Sequence, residues 1–108
     1  MDEKQLEKAM NLIGYSGNAK SLAIQALNAA EKDDFAKADE LLTEAKKELH
    51  QAHEIQTKWM SSEMNGEKVE KTILLIHSQD HFMAADTVLL LAQKMIALQK
   101  KNAKLEVK

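Results

Sequence analysis

No proline occurs anywhere in this 108-residue chain, and only three glycines do. A backbone so rarely interrupted is directed toward long helices, because the residues that end or kink a helix are nearly absent. Ala, Leu, Lys, Glu, Gln and Met fill the chain instead, and all are strong helix formers. Two stretches read as breaks. In EKDDFAKAD, Asp33 or Asp34 is placed to cap a following helix N-terminus. In MNGEK, Asn65 or Gly66 is placed to take the left-handed conformation that ends a helix. Three helices are therefore expected, at roughly 3–31, 35–64 and 68–101, with 102–108 as a frayed tail. Helices of this length far exceed the average of about 11 to 12 residues and point to an elongated all-α bundle. The size suits one domain, 1–108. GYSG at 14–17 weakens the first helix, so a bend or close packing is expected at Gly14 and Gly17.

The second helix carries an apolar stripe through Ala38, Leu41, Leu42, Ala45, Leu49, Ala52, Ile55 and Trp59, with polar residues opposite. His53 and Gln56 share a face there and read as hydrogen-bonding residues of core or rim. The third helix is different. Ile73 to Ile76, Val88 to Ala92, Met95, Ile96 and Leu98 point in nearly every direction. A helix apolar all round is buried all round, and a three-helix monomer leaves each helix one face in water. The third helix is expected to pack against copies of itself, making a homo-oligomer. Met60, Met64, Met83 and Met95 read as core filler.

Composition narrows the classes of function. All 15 basic residues are Lys and the net charge is -2, which argues against nucleic acid as a partner. Without Cys there is neither a disulfide framework nor a thiolate metal site. The charged opening MDEKQLEK lacks a signal peptide's apolar segment, and wholly apolar runs last only a few residues, too short for a bilayer. A soluble intracellular domain is the expectation.

Against that background LLIHSQDHFM, residues 74–83, stands out: two histidines and an aspartate inside an apolar helix. Buried polar groups need partners. A three-four spacing runs through Ile73, Ile76, Asp80, Met83, Thr87 and Leu90, a self-association seam with Asp80 in it. Around a symmetry axis several Asp80 carboxylates would converge and repel unless a hard cation such as Mg²⁺ neutralised them. His77 lies beside the seam, with His81 one turn on. His-x-x-x-His alone is a weak zinc signal, since the glutamate and third ligand of the known motifs are missing. A neutral imidazole is, however, a good nucleophile near pH 7, able to accept a phosphoryl group and pass it on. Such a carrier needs no Gly-rich phosphate cradle, and this chain has none. A hydrolase triad fits poorly, because one smooth helix builds no oxyanion hole. Two other readings stay open on the residues alone: a non-catalytic helical adaptor whose polar cluster only hydrogen-bonds, and a metal-binding bundle using His77, Asp80 and His81.

LLIHSQDHFM also resembles the active-site motif of the enzyme IIA components of the bacterial phosphotransferase system, lactose/cellobiose type. The pattern there is an apolar run, His, a small residue, Gln-Asp, usually His, an apolar residue and Met. GYSGNAKS is similar to that family's Gly-rich first helix, DDFAKADELL to its second-helix opening, and AHEIQT to its Ala-His-x-x-Gln-Thr stretch. The resemblance covers nearly the whole chain. Ser78 is more polar than the Ala or Gly common at its position, but it is still small.

Carried over residue by residue, the resemblance implies that His77 is the phosphoryl acceptor. His81 and Gln79 would help orient the phosphate, and Asp80 would be the metal-binding carboxylate on a three-fold axis. It implies an antiparallel up-down-up three-helix bundle assembling as a homotrimer of nine helices. It further implies HPr as phosphate donor, the cysteine of enzyme IIB as acceptor, a membrane IIC component that moves a β-linked disaccharide, and a cytoplasmic location for this chain.

Overall fold

The computed structural model describes residues 1–106 as three helices and, among those residues, no strand. The helices are α1 (Glu3–Glu31), α2 (Phe35–Met64) and α3 (Ile73–Glu106). Short connections send the chain up, down and up again, giving an all-α rod of 60 × 21 × 19 Å. The three-helix bundle foreseen from the sequence is the fold.

Helix α1 lies at the centre and packs along its length against both others. Its buried line is Ala9, Leu12, Ser16, Ala19, Ala23, Ala26 and Ala30, a strict three-four repeat made almost wholly of small residues. Small side chains let helix axes approach closely, so the core is thin and alanine-rich. α2 answers with Ala38, Leu41, Leu42, Ala45, Ala52 and Trp59. Leu49 and Ile55 of the expected stripe are half-buried and pack onto that core. α3 contributes Leu75, Ser78, Phe82, Ala85, Leu89, Ala92 and Ile96.

The turns explain the boundaries. At the end of α1, Asp33 adopts φ 58°, and the amides of Asp33 and Asp34 donate to the carbonyls of Ala30 and Ala29 at 3.0 Å each. This is the Schellman pattern, built here on an aspartate. Asp34 then caps α2, its Oδ1 accepting from the Lys37 amide at 3.2 Å. The end of α2 repeats the pattern: Gly66 sits at φ 91°, its amide donating to Glu63 and that of Glu67 to Ser62. Both expected breaks are therefore real.

Four expectations need correction. α3 starts at Ile73 rather than 68, because the Thr72 hydroxyl accepts from the Leu75 amide at 3.1 Å and fixes the N-cap there. Residues 67–72 form a non-helical connection whose Val69 packs onto the core beside Trp59. At its other end α3 runs to Glu106, so 102–106 are helical and not a loose tail; 107–108 lie outside the described residues. α1 is unbroken through GYSG, and nothing lies within 4 Å of where a side chain would stand at Gly14 or Gly17. The four methionines are not core filler: Met60, Met64, Met83 and Met95 are all exposed, Met64 by 84%.

One of those methionines, Met83, belongs to a larger feature. Ile73, Ile76, Asp80, Met83, Thr87 and Leu90, the expected seam, are all exposed, opposite the line that α3 buries inside the bundle. α3 thus has two apolar faces, and the chain covers one. By length and composition alone it also qualifies as a membrane-crossing helix, which its short apolar runs did not suggest.

Candidate functional site

The site is built on the first three turns of α3. Ser78 anchors it: the side chain is 0% exposed, and its hydroxyl donates to the Leu75 carbonyl at 2.6 Å. A small residue is needed there because the position faces α1 and α2. His77 precedes it on the exposed side. One turn on, His81 is half-buried, and the Nε2 atoms of the two rings stand 3.0 Å apart. The rings meet edge to face, centroids 4.4 Å apart. At that separation an Nε2–H of one ring reaches the bare Nε2 of the other, and the tautomers decide which ring donates. With His81 donating, His77 keeps the tautomer whose Nε2 carries a lone pair.

Gln79 is not part of this pair. Two residues are about 200° around a helix, so Gln79 faces away from His77. Its Oε1 accepts a hydrogen bond from Gln56 Nε2 on α2, tying the two helices together at the level of the histidines. The two glutamines, not the histidines, line an open cleft of about 370 Å³ walled also by Trp59, Met60, Val69, Leu75 and Ile76. His53, one turn earlier on α2, stacks on Phe82 with ring centroids 6.0 Å apart. The hydrogen-bonding reading holds for Gln56, whereas His53 is exposed and stacks on Phe82 instead of hydrogen-bonding. Their link to the histidine segment was not visible in the sequence, because a pairing across 23 residues leaves no local signal.

Asp80 is exposed on the seam face and makes no hydrogen bond or ion pair among the described residues. Nor do those residues contain a group of three or more His, Asp or Glu side chains able to hold a metal ion. A single chain therefore offers one carboxylate and no site. This also weighs against a metal-binding bundle formed by His77, Asp80 and His81 within one chain.

The chain matches the model of the "PTS system, Lactose/Cellobiose specific IIA subunit" over residues 7–100. It belongs to that family. The lichenan-specific phosphotransferase enzyme IIA component of Bacillus subtilis is 39% identical over 101 residues, 94% of this chain and 92% of the relative. The crystal structure of the cellobiose-specific enzyme IIA from Bacillus anthracis superposes with a TM-score of 0.90 at 44% identity, covering 100% of this chain and 96% of that one. A third match is the IIA(chitobiose) in the solution structure of its complex with HPr, from Escherichia coli. Its TM-score is 0.76 at 32% identity, with 94% of this chain and 99% of that one covered. The family resemblance read from LLIHSQDHFM and its three companion segments is thereby confirmed, and the chain is a IIA component of the lactose/cellobiose family.

Proposed function

We propose that this IIA component is a phosphohistidine carrier in which His77 accepts the phosphoryl group. The observation that carries this reading is the exposed His77 ring with His81 Nε2 3.0 Å from its own Nε2. A phosphorylated donor approaches the exposed ring, and the bond from donor to phosphorus breaks as one forms to an imidazole nitrogen of His77. His81, half-buried and held by α3, then turns its Nε2–H toward a phosphoryl oxygen, a fixed donor aimed at the charge that has arrived. The return step is the same reaction run onto a different nucleophile. No nucleotide or cradle is required.

HPr is the donor in this reading, supported by the E. coli chitobiose relative solved with HPr. A cysteine of enzyme IIB is the acceptor, and a membrane IIC component moves the sugar, so the chain works in the cytoplasm. The relatives described above are named for lichenan, cellobiose and chitobiose. A β-linked saccharide is the corresponding class of cargo here. Gln79, bonded to Gln56, supports the site by holding α3 against α2 rather than by touching phosphate.

The assembly is a homotrimer whose α3 helices meet along the seam. Its support is the exposed apolar stripe of α3, Ile73 at 82% above all. Three copies would bring three Asp80 carboxylates to the axis, a donor set of hard oxygens that fits Mg²⁺ or a similar ion. That ion would neutralise the carboxylates and has no step in phosphoryl transfer.

Labelling with phospho-HPr tests the acceptor. Wild type should take up one phosphoryl group per chain and His77→Gln none, with helical content unchanged; a labelled His77→Gln chain would mean that the wrong residue has been chosen.

A further inference from the structure

Among the described residues, side-chain hydrogen bonds tie α2 to α3 at two levels. Gln56 bonds to Gln79 at one, and Lys100 pairs with Asp39 at 2.9 Å at the other. Between Asp39 and Gln56 lie nearly five turns of α2, about 25 Å of helix, without such a tie. A groove of about 400 Å³ lies between the two helices there. Its floor is apolar: half-buried Leu49 of α2, with buried Phe82 and Leu89 of α3. The His53 ring lies over Phe82 at an interplanar angle of 29° and extends that floor.

The rim is polar. Lys46 and His53 come from α2, Asp86 and Gln93 from α3, and none of the four makes a hydrogen bond or ion pair among the described residues. His50 also stands on the rim, but its Nε2 is held by Glu54 Oε1 at 3.0 Å. The free groups select an occupant. Lys46 donates only, Asp86 accepts only, and an amide or a neutral imidazole does both. One ammonium and one carboxylate leave no excess charge to hold a phosphate or an acidic peptide. No group of three or more His, Asp or Glu side chains is arranged among the described residues to hold a metal ion. A hydroxyl, by contrast, both donates and accepts. A sugar ring carries several hydroxyls around its edge and C–H groups on its faces, which matches mixed donors and acceptors around an apolar floor. The volume of about 400 Å³ lies within the range of small-molecule sites, about 300 to 1,000 Å³.

We propose that this groove binds a neutral saccharide, with ring faces on the apolar floor and hydroxyls on Lys46, His53, Asp86 and Gln93. The choice of a β-linked disaccharide as occupant rests on the carrier reading, where that is the class of cargo. The groove is separate from the phosphoryl acceptor. It opens on the side of α3 that Gln79 turns to α2, about 200° around the helix from His77. A bound saccharide forms a third tie between α2 and α3 and stabilises the bundle.

The test is a titration of the isotope-labelled full chain with cellobiose, read by amide NMR shifts, with glycerol as the control. The expected result is saturating shifts at Lys46, His53, Asp86 and Gln93, with a midpoint of about 1 to 10 mM and none with glycerol. Asp86→Ala and Gln93→Ala should each raise the midpoint about five-fold, the effect of one lost hydrogen bond, with circular dichroism unchanged. Absence of shifts at about 100 mM cellobiose, well above that midpoint, overturns the site. Shifts at these residues on adding HPr but not cellobiose make the groove a protein-docking face and overturn it too. Labelling by phospho-HPr is read on the same chain. A chain that binds cellobiose but takes no phosphoryl group keeps the groove and loses the carrier reading, whereas a labelled chain without saccharide shifts loses the groove alone.

Discussion

At the scale of single residues, the proposed function rests on two imidazoles and on what surrounds them. In that proposal the contact between His77 and His81 gives the rings unequal tasks, one as nucleophile and one as donor. His81→Ala should leave His77 able to accept phosphate but slow the transfer by about a hundred-fold, the usual cost of removing one preorganised donor. Rapid-quench labelling by phospho-HPr measures this, and an unchanged rate would assign the donor role elsewhere. The spacing of His77, Asp80 and His81 was legible in the sequence because it depends only on 3.6 residues per turn. The place of Gln79 was half legible. Its direction away from His77 follows from the same geometry, whereas its partner Gln56 follows only from how α2 docks. The methionines misled because apolar character says that a side chain avoids water and not which chain will cover it.

At the scale of elements, the helices are decided by their ends. Gly66 stands at φ 91° with open space where a side chain would project, so replacing it adds backbone strain and no clash. Gly66→Ala should therefore cost about 1 kcal/mol in chemical denaturation, and Asn in its place less. Loss of the Thr72 hydroxyl should cost about as much, since the Leu75 amide then loses its cap. An unchanged midpoint for Thr72→Ala would show that the start of α3 is set by Val69 packing instead. The start of α3 was misjudged by five residues for a physical reason. Glu67, Lys68, Glu70 and Lys71 are good helix formers, but the turn at Gly66 and the anchoring of Val69 onto the core keep them out of a helix. Asp33 shows the opposite case. Either aspartate of the pair could have capped α2, and the left-handed turn at Asp33 leaves Asp34 as the cap.

At the scale of the whole molecule, α3 has an apolar face that the single bundle leaves uncovered. The three long helices were legible because helix-forming composition and two breaks dictate them, and their up-down-up order followed from the family resemblance. The excess on α3 was legible too, because its apolar residues point all round. That α3 runs on through residues 102–106 was not, since a polar, Lys-rich segment reads as tail. The same surface makes a prediction for Asp80. Asp80→Leu removes converging carboxylates from an apolar seam, so the trimer should persist or tighten. Sedimentation equilibrium reads this directly, and a monomeric variant would take Asp80 off the axis. Addition of a chelator should weaken the wild-type trimer and leave Asp80→Leu unaffected.

The central claim is that this IIA component carries phosphate on His77 between two partner proteins. Intact-mass measurement after incubation with phosphoenolpyruvate, enzyme I and HPr, followed by acid treatment, tests it most directly. The account predicts one phosphoryl group per chain, removed by acid, absent from His77→Gln and discharged when enzyme IIB is added. A folded trimer that takes no label, or a label that survives acid, would contradict it.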